Sequence, residues 1–401
     1  MTPNRETLAS HRLWLAFVSM LLVSGIANAF PVFLPPLLEE FGGSRGATAS
    51  TASLLWVGGA VLGPLAGYLV SRWNPRLLVT IGLAATAAGL ALGTLAPSLT
   101  VFILAVGVGG GIGVGLTGMI TQAALIADAY VRRRGLAMGI AFSGSMAAYA
   151  LALPAQWAIN RWGWRGAFWA YVIAIVAVIP WAWIAHPARL HSTAKAGPAG
   201  GEAGARTVGS IVASPGFWGL LVVFSTPPLF GYLAITQHTL YFTARGFTPA
   251  EASVMLAVGG GLASGGRALA GWTADHLGGL TTGFISFSCS LVGMLCLLGM
   301  EAWPGRLLAA GYVLFIFLPL GSRATIVSVL ISRIAPPVHY GLIFGLLGIG
   351  NSLGAAAGPW MSGALYDHTQ SYLIIFLWAT GIALAGLGGL VVFSLTTRRA
   401  A

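Results

Sequence analysis

The chain has 401 residues, of which 57% are hydrophobic and only 7% are charged. A soluble protein of this length would hold two or three domains and about a quarter of its residues would be charged. The composition therefore excludes an ordinary soluble protein and predicts an integral membrane protein. The formal net charge of +11 would also suit a nucleic-acid-binding protein, so the distribution of the charge decides what it means.

Apolar segments long enough to cross about 30 Å of hydrocarbon as helices recur along the whole chain. They predict an all-α membrane protein with twelve transmembrane helices in two six-helix halves. A polar, Gly- and Ala-rich stretch at 187–212 is typical of a flexible linker, and it separates an N-terminal half, 1–186, from a C-terminal half, 213–401. The predicted spans 1 to 12 cover residues 13–38, 48–70, 77–96, 99–127, 135–158, 166–185, 216–242, 250–274, 280–300, 306–332, 339–365 and 371–395.

The first span has a second interpretation as a secretory signal peptide. Arginines precede the apolar run, and Ala27-Asn28-Ala29 has the small-residue pattern of a cleavage site. Cleavage would leave an odd number of spans, whereas the intact chain has an even set. We therefore expect the segment to remain as span 1.

The basic residues are distributed unevenly among the predicted loops. With both termini in the cytoplasm, clusters such as Arg132, Arg133 and Arg134 and the linker residue Lys195 all fall on the cytoplasmic side. This is the positive-inside bias that orients membrane proteins. The sequence therefore predicts a multi-pass protein of the inner (cytoplasmic) membrane, with the lipid bilayer and not nucleic acid as its partner.

The two halves contain a faint internal repeat. Leu65-Ala66-Gly67 at the end of span 2 reappears 204 positions later as Leu269-Ala270-Gly271 at the end of span 8. Parallel repeats of this kind are typical of transporters built from two related halves. The residue equivalent to Arg267 in the first half is Gly63, so the repeat itself does not require a cation there.

The loop after span 8 contains the pattern G-x-x-x-D-x-x-G at Gly271, Asp275 and Gly278. This pattern resembles the signature of the major facilitator superfamily, and the copy after span 2 is degraded, with Ser71 and Asn74 at the Asp and second Gly positions. The resemblance covers the whole chain. It implies transport by alternating access and gating roles for Asp275, Arg72, Gly67 and Gly271.

Narrower motifs resemble the branch that holds monocarboxylate transporters and oxalate–formate exchangers. They are AFPVFLPPLLEEFGGSR at 29–45, RRRGLAMGIAFSGS at 132–145, WGWRGAFW at 162–169 and the segment around Arg267. The resemblance implies that Arg267 is the carboxylate ligand. Val32 and Ala263 stand where animal monocarboxylate transporters carry a lysine and an aspartate, which leaves proton symport without its usual groups. Span 11 also lacks the lysine of oxalate exchangers, which favours a monocarboxylate over a dicarboxylate.

Arg267 is also unusual on physical grounds. It lies eight residues before Asp275, roughly 12 Å along the helix at about 1.5 Å per residue. A cation at that depth costs at least about 2.5 to 3.5 kcal/mol and is a functional candidate by default. The chain's nine carboxylates all map to loops or span ends, so none is expected beside it, and its guanidinium suits an arriving carboxylate. The alternatives are a structural ion pair or the capping of carbonyls at a broken helix.

Several other polar residues lie within predicted spans. Arg323 in span 10 could be a second cation on the substrate path or could bond to carbonyls. His238 in span 7 could carry a proton or pack as a singly bonded histidine. The remaining candidates for substrate binding, each of which could instead join two helices or pack, are Asn28, Gln122, Tyr232, Gln237 and Asn351.

No nucleophile–base arrangement, P-loop or metal-ligand cluster is visible, so we expect no enzyme, no cofactor and no metal. The G-x-G-x-x-G at Gly113, Gly115 and Gly118 lies inside a span with no strand before it, so it predicts helix packing and not nucleotide binding. The sequence predicts a monomeric secondary transporter that moves a small organic monocarboxylate, with protons as a candidate coupling ion. Efflux of an amphipathic drug-like compound and a non-transporting receptor remain the alternatives.

Overall fold

The computed structural model describes residues 5–130, 134–186 and 207–398, and all regular structure within these ranges is helical. The contacts divide the chain into two compact units. The first holds the described residues of 1–193 together with 236–261, and the second holds those of 194–235 and 262–401. The arginines at 132 and 133 and most of the predicted linker lie outside the described residues.

Spans 1 to 6 follow the predicted order in the first part of the chain. Their helices are Arg5–Asn28 and Phe30–Phe41 for span 1, Arg45–Arg72 for span 2, Pro75–Thr94 for span 3, Leu99–Thr117 and Met119–Ala129 for span 4, Arg134–Ala147 with the 3-10 turn Ala148–Leu151 for span 5, and Ala152–Ala185, which completes span 5 and forms span 6.

Spans 7 to 12 follow a short helix at Val208–Val212. Their helices are Pro215–Thr236 and His238–Ala244 for span 7, Pro249–Leu277 for span 8, Gly279–Ala302 for span 9, Arg306–Leu320 and Arg323–Ile331 for span 10, Pro337–Thr369 for span 11, and Tyr372–Arg398 for span 12.

The twelve-span, all-α fold is confirmed by helix lengths and composition. Within the described residues, ten segments are long and apolar enough to cross a membrane, and one of them, Leu136–Ala185, has 50 residues. That segment is long enough to cross twice at about 1.5 Å per residue, and it turns at Gly163, where φ is 70°. Span 8 has 29 residues, which is also long enough to cross, although it carries Glu251, Arg267 and Asp275.

Side chains that precede the helices fix where several spans begin. Ser44 accepts a hydrogen bond from the backbone N–H of Ala47 at 3.1 Å, and Ser98 does the same for Val101 at the start of span 4. Asn74 caps span 3, which opens on Pro75. Serine and asparagine caps satisfy N–H groups that the first helical turn leaves unpaired, and proline suits the first helical position.

Spans 1, 4, 7 and 10, the first of each consecutive group of three, are each divided into two α-helices, and span 5 contains the 3-10 turn Ala148–Leu151. Span 1 breaks at Ala29, span 4 at Gly118, span 7 at Gln237 and span 10 at the turn Gly321–Ser322. Gly118 and Ser322 are 204 positions apart, the same interval that separates the repeated motifs. The break in span 7 lies nine residues beyond Pro228, which stays inside its helix.

Candidate functional site

Spans 8 and 10 cross in direct backbone contact, and this crossing places Arg267. A Cβ atom at Gly266 would overlap the carbonyl oxygen of Leu318, and a Cβ atom at Gly321 would overlap the carbonyl oxygen of Ala263. Two glycines therefore allow the helix backbones to approach closely, as small residues do at membrane helix interfaces. The side chain of Arg267, next along span 8, consequently starts at the break of span 10.

Arg267 makes a single hydrogen bond within the described part of the chain. Its Nε–H donates to the carbonyl oxygen of Gly321 at 3.4 Å, which is long for such a bond. A guanidinium carries five N–H donors, so four of them remain for another partner. The side chain is half-buried, and no described carboxylate forms an ion pair with it.

The break in span 10 makes the Gly321 carbonyl available to Arg267. The turn at Gly321–Ser322 separates the two helices of the span, and the Ser322 hydroxyl donates to the carbonyl of Pro319 at 2.6 Å. A carbonyl at such an interruption has to be satisfied by a side chain or a ligand. Arg267 therefore caps a carbonyl at a broken helix, which is one of the alternatives that the sequence left open. Only one of its five guanidinium donors is used for this bond.

Arg323 is buried and directed toward span 9. Its Nη2 donates to the carbonyl of Ser286 at 3.0 Å and to the hydroxyl of Ser290 at 2.6 Å, and the guanidinium carbon lies 4.0 Å from the centroid of the Phe287 ring. Nε and Nη1 are buried without a hydrogen-bond partner among the described residues. The residue therefore ties the second helix of span 10 to span 9.

Asn351 and Tyr232 lie where spans 7 and 11 meet. The Asn351 amide donates to the carbonyl of Phe224 at 2.9 Å. A Cβ atom at Gly358 would lie 2.7 Å from the Cβ of Tyr232, so span 11 runs close to the span 7 backbone there. Both candidates belong to the same unit as Arg267.

His238 and Gln237 belong to the first unit. His238 is 1% exposed, and its Nε2 lies 3.0 Å from the carbonyl oxygen of Ala252 in span 8. The side-chain oxygen Oε1 of Gln237 accepts a hydrogen bond from Arg45 at 3.4 Å. The side-chain nitrogen Nε2 of Gln237 is buried and has no hydrogen-bond partner among the described residues. These contacts join the break of span 7 to the starts of spans 2 and 8.

Asn28 and Gln122 sit beside the breaks of spans 1 and 4. The Asn28 amide donates to the carbonyl of Ser145 in span 5 at 2.8 Å. The Gln122 amide donates to the carbonyl of Thr117 in its own span at 3.2 Å. The Asn28 bond joins spans 1 and 5, whereas the Gln122 bond crosses the break within span 4.

The four residues expected to gate transport lie at or near the ends of spans 2 and 8. Arg72 is exposed, and its guanidinium stacks 4.4 Å from the ring centroid of Tyr68. Asp275 is exposed and forms no ion pair with a described residue. A Cβ atom at Gly67 would lie 2.9 Å from Ile120 of span 4, whereas one at Gly271 would meet nothing within 4 Å.

The first unit contains a buried ion pair that the sequence did not reveal. Arg12 donates to Asp128 at 3.1 Å and to the carbonyl of Ala185 at 2.9 Å, and only 2% of the Asp128 side chain is exposed. The neighbouring His186 is buried, and Arg76 donates to its carbonyl. Burial, together with the positive charges of Arg12 and Arg76, lowers the pKa of His186 to about 3.

A second ion pair in this unit is exposed. Arg165 donates to Glu40 at 3.0 Å, and 43% of the arginine side chain and 41% of the glutamate side chain are accessible. The hydrogen bond from Arg165 holds the pKa of the Glu40 carboxyl below its usual range. Within the described residues, no group of three or more His, Cys, Asp or Glu side chains could hold a metal ion.

Sequence reasoning singled out Arg267 and Arg323 but not the residues that the structure places beside them. Gly266, Gly321, Ser286 and Ser290 were not singled out, because a glycine or serine in an apolar helix has no distinctive pattern. The available signal was Pro319 with Gly321 two residues later, since proline and glycine are each common where a helix is interrupted.

The fold and the sequence define the class of this protein. The sequence model of the Major Facilitator Superfamily matches residues 14–324, and the chain belongs to that superfamily. It is 28% identical over 383 residues to monocarboxylate transporter 13 of Bos taurus, with 94% of this chain and 87% of that protein covered. It is 26% identical over 395 residues to monocarboxylate transporter 11 of Homo sapiens, with coverages of 92% and 80%.

Solved structures share the fold at lower sequence identity. The crystal structure of a D-xylose–proton symporter superposes with a TM-score of 0.76 at 17% identity, covering 96% of this chain and 97% of that one. A bacterial homologue of the human lysosomal transporter Spinster superposes with a TM-score of 0.67 at 16% identity, covering 99% and 96%. The chain is thus a multi-pass membrane transporter of the superfamily, related to monocarboxylate transporters.

Proposed function

We propose that the protein is a secondary active transporter that moves a small organic monocarboxylate across the cytoplasmic membrane, with Arg267 as the carboxylate ligand. The observation that carries the proposal is a half-buried arginine in span 8 with one long hydrogen bond, four free donors and no carboxylate partner among the described residues. Guanidinium and carboxylate match each other in a bidentate geometry. Both termini lie in the cytoplasm in this proposal, as the basic loops favour.

The number of carboxylates on the proposed cargo follows from the number of cations that are free to bind it. Arg323 is held by Ser286 and Ser290 of span 9, which supports a packing role and leaves Arg267 as the cation that meets the cargo. One cation suits one carboxylate. The relatives' names, which specify monocarboxylate transporters, favour the same substrate class.

A thermal-shift titration of the purified protein tests the proposal. Acetate, lactate and pyruvate are compared with lactamide, which lacks the carboxylate, because a ligand that binds the folded state raises the Tm. We expect carboxylates to raise the Tm, and Arg267→Ala to weaken binding at least about 100-fold, since charge-assisted hydrogen bonds contribute about 1.5 to 3 kcal/mol each.

Arg161→Ala is the matched control, since Arg161 is an exposed arginine and its removal changes the net charge equally. It should bind carboxylates as the wild type does. Equal stabilisation of wild type and Arg267→Ala would overturn the proposal. Stabilisation by amphipathic cations instead of carboxylates would favour drug efflux, and a ligand that binds without any uptake into vesicles would favour a receptor.

We propose further that any coupled proton travels on the cargo's own carboxyl group. His238 is the alternative carrier, but the bond between its Nε2 and the Ala252 carbonyl supports a role in joining spans 7 and 8. Uptake by His238→Ala, measured from pH 5 to 8, should keep the wild-type pH profile even if its rate falls. A flattened profile would make His238 the proton carrier.

A further inference from the structure

Two adjacent glycines in span 8 have opposite surroundings. A Cβ atom at Gly265 would meet nothing within 4 Å, whereas one at Gly266 would overlap the carbonyl oxygen of Leu318. Building on the proposed function, we propose that Gly266 is a positioning residue of the carboxylate site. Its missing side chain lets span 8 lie against span 10, and this contact holds the Arg267 guanidinium at the Gly321 carbonyl.

The obstructing atom at Gly266 belongs to the backbone, so it cannot rotate out of the way. The same contact is formed from the other side, where a Cβ atom at Gly321 would overlap the Ala263 carbonyl and lie 3.3 Å from the Cβ of Arg267. Gly321 has φ −72° and ψ −15°, a conformation that alanine adopts readily. Lack of volume, and not backbone freedom, is therefore what the crossing requires of this glycine.

The contacts of span 10 indicate which helix would yield to an added side chain. The Ser322 hydroxyl lies 2.7 Å from that of Ser286, and Arg323 donates to Ser290 at 2.6 Å. These bonds tie span 10 to span 9 directly at the break. A methyl group at position 266 would therefore displace span 8, and Arg267 as the next residue would move with it.

The internal repeat shows that this glycine is not a requirement of the fold. Leu62 occupies the equivalent position in span 2, and the close contact there is provided by a glycine on the other helix. A Cβ atom at Gly115 of span 4 would lie 2.5 Å from the Cβ of Leu62. The second half has a glycine on each helix, and the one on the arginine-bearing helix brings the start of the Arg267 side chain close to span 10.

The test compares Gly266→Ala with Gly265→Ala. Both substitutions replace a helical glycine with alanine and gain the same helix propensity, so they differ in the contact that the added methyl group meets. With lactate as the probe, we expect Gly266→Ala to raise the apparent Kd tenfold or more and Gly265→Ala to change it less than twofold. Apparent KM for uptake should rise in parallel, whereas loss of folded protein alone would lower the maximal rate and leave KM unchanged.

The Arg267→Lys background separates positioning from a general loss of packing. Lysine presents a point charge on a flexible stem and depends less on the angle at which it is held, so Gly266→Ala should cost less than threefold in affinity there. An equal loss in both backgrounds would overturn the inference. Gly321→Ala adds a methyl group to the same contact from span 10 and should also raise the Kd for lactate. If both Gly266→Ala and Gly321→Ala failed to fold, the crossing would be a requirement for folding only, and the positioning role would be wrong.

The two proposals fail in different ways. If the wild type binds no carboxylate, or binds it equally well as Arg267→Ala, the proposed function fails. If carboxylate binding depends on Arg267 but is unchanged by Gly266→Ala, only the positioning role fails.

Discussion

In both halves, equivalent spans cross at glycines that let the two helix backbones approach closely, but the residues beside the crossings differ. In the first half, spans 2 and 4 meet at Gly58, where a Cβ atom would overlap the backbone of Gly111. In the second half, spans 8 and 10 meet at Gly266 and Gly321. The position equivalent to Arg267 is Gly63, whose surroundings would accept a Cβ atom at 3.4 Å from Ile120. The close crossing is thus common to both halves, and the cation is confined to one.

The two halves also differ in the side chain that satisfies the backbone carbonyl at a helix break. The Thr117 carbonyl at the break of span 4 is satisfied by Gln122 of the same span at 3.2 Å. The Gly321 carbonyl at the break of span 10 is satisfied by Arg267 of a different span at 3.4 Å. A neutral side-chain amide is therefore sufficient to satisfy the backbone carbonyl at such a break. The fold does not need a charge there, which supports a role for Arg267 in binding.

The two units also differ in whether the arginines within their spans are paired with a carboxylate. Arg12 in the first unit is paired with Asp128. Arg267 and Arg323 in the second unit form no ion pair with any described carboxylate. A buried cation without a counter-ion is costly, so the second unit retains a cost that an arriving anion would relieve.

Replacing Arg267 gives the largest expected effect on binding, and lysine at this position tests whether charge alone is sufficient. The charge is kept, but the planar donor fork is lost and the ammonium loses its proton more readily when buried. We expect carboxylate affinity to fall at least tenfold, with the protein still folded and monodisperse. Uptake of a labelled short monocarboxylate, together with yield and monodispersity, measures this.

The same measurements on Arg267→Ala identify a purely structural role. That role would reduce the yield, while the protein that survived would still transport. Near-normal uptake by Arg267→Ala would show that the cation is not the cargo ligand.

Removing the counter-ion of Arg12 should produce the largest change in stability. Asp128→Asn leaves a mostly buried arginine without its carboxylate, and breaking such a pair costs about 3 to 5 kcal/mol. Glu40→Gln is the matched control, because its pair with Arg165 is exposed and exposed pairs contribute little. Thermal unfolding in detergent should show a clear loss of Tm for the first variant only, and equal losses would mean that burial does not distinguish the pairs.

Particular residues show how far the sequence predicts this molecule. The twelve spans, the two-fold repeat and the candidacy of Arg267 follow from hydropathy and from the scarcity of charge. The partners of Arg323 do not, because Ser286 and Ser290 are more than thirty residues away and helical periodicity carries no information about which helices meet. Gln237 and His238 were candidates because they are polar, and only the tertiary contacts connect them with Arg45 and Ala252.

The comparison of the crossings predicts that stability and binding can be separated. Gly58→Ala would force the span 2 backbone away from Gly111, and overpacking of this kind costs about 1 to 3 kcal/mol. Because that crossing holds no cation, carboxylate affinity should change less than twofold. Gly63→Ala, which has room for the methyl group, should affect neither quantity. A tenfold loss of affinity in Gly58→Ala would show that the first crossing also shapes the carboxylate site.

The last expected effect concerns the pH dependence of stability, and it should arise in the first unit. His186 is buried, and both ring nitrogens lack a hydrogen-bond partner among the described residues. Burial and the charges of Arg12 and Arg76 lower its pKa to about 3 from an ordinary 6.5. Between these two values the unfolded chain binds a proton that the folded chain does not, so the free energy of unfolding falls as the pH falls from about 6.5 toward 3.

Replacing His186 with leucine removes this titration and keeps an apolar side chain in the buried position. The Tm of His186→Leu should therefore decline less steeply than that of the wild type between pH 7 and 4.5, with His276→Gln at the exposed end of span 8 as the control for loss of a histidine. Parallel curves for wild type and His186→Leu would mean that His186 gains a proton in the folded protein as readily as in the unfolded chain. In that case burial and the two neighbouring arginines would not set its charge state.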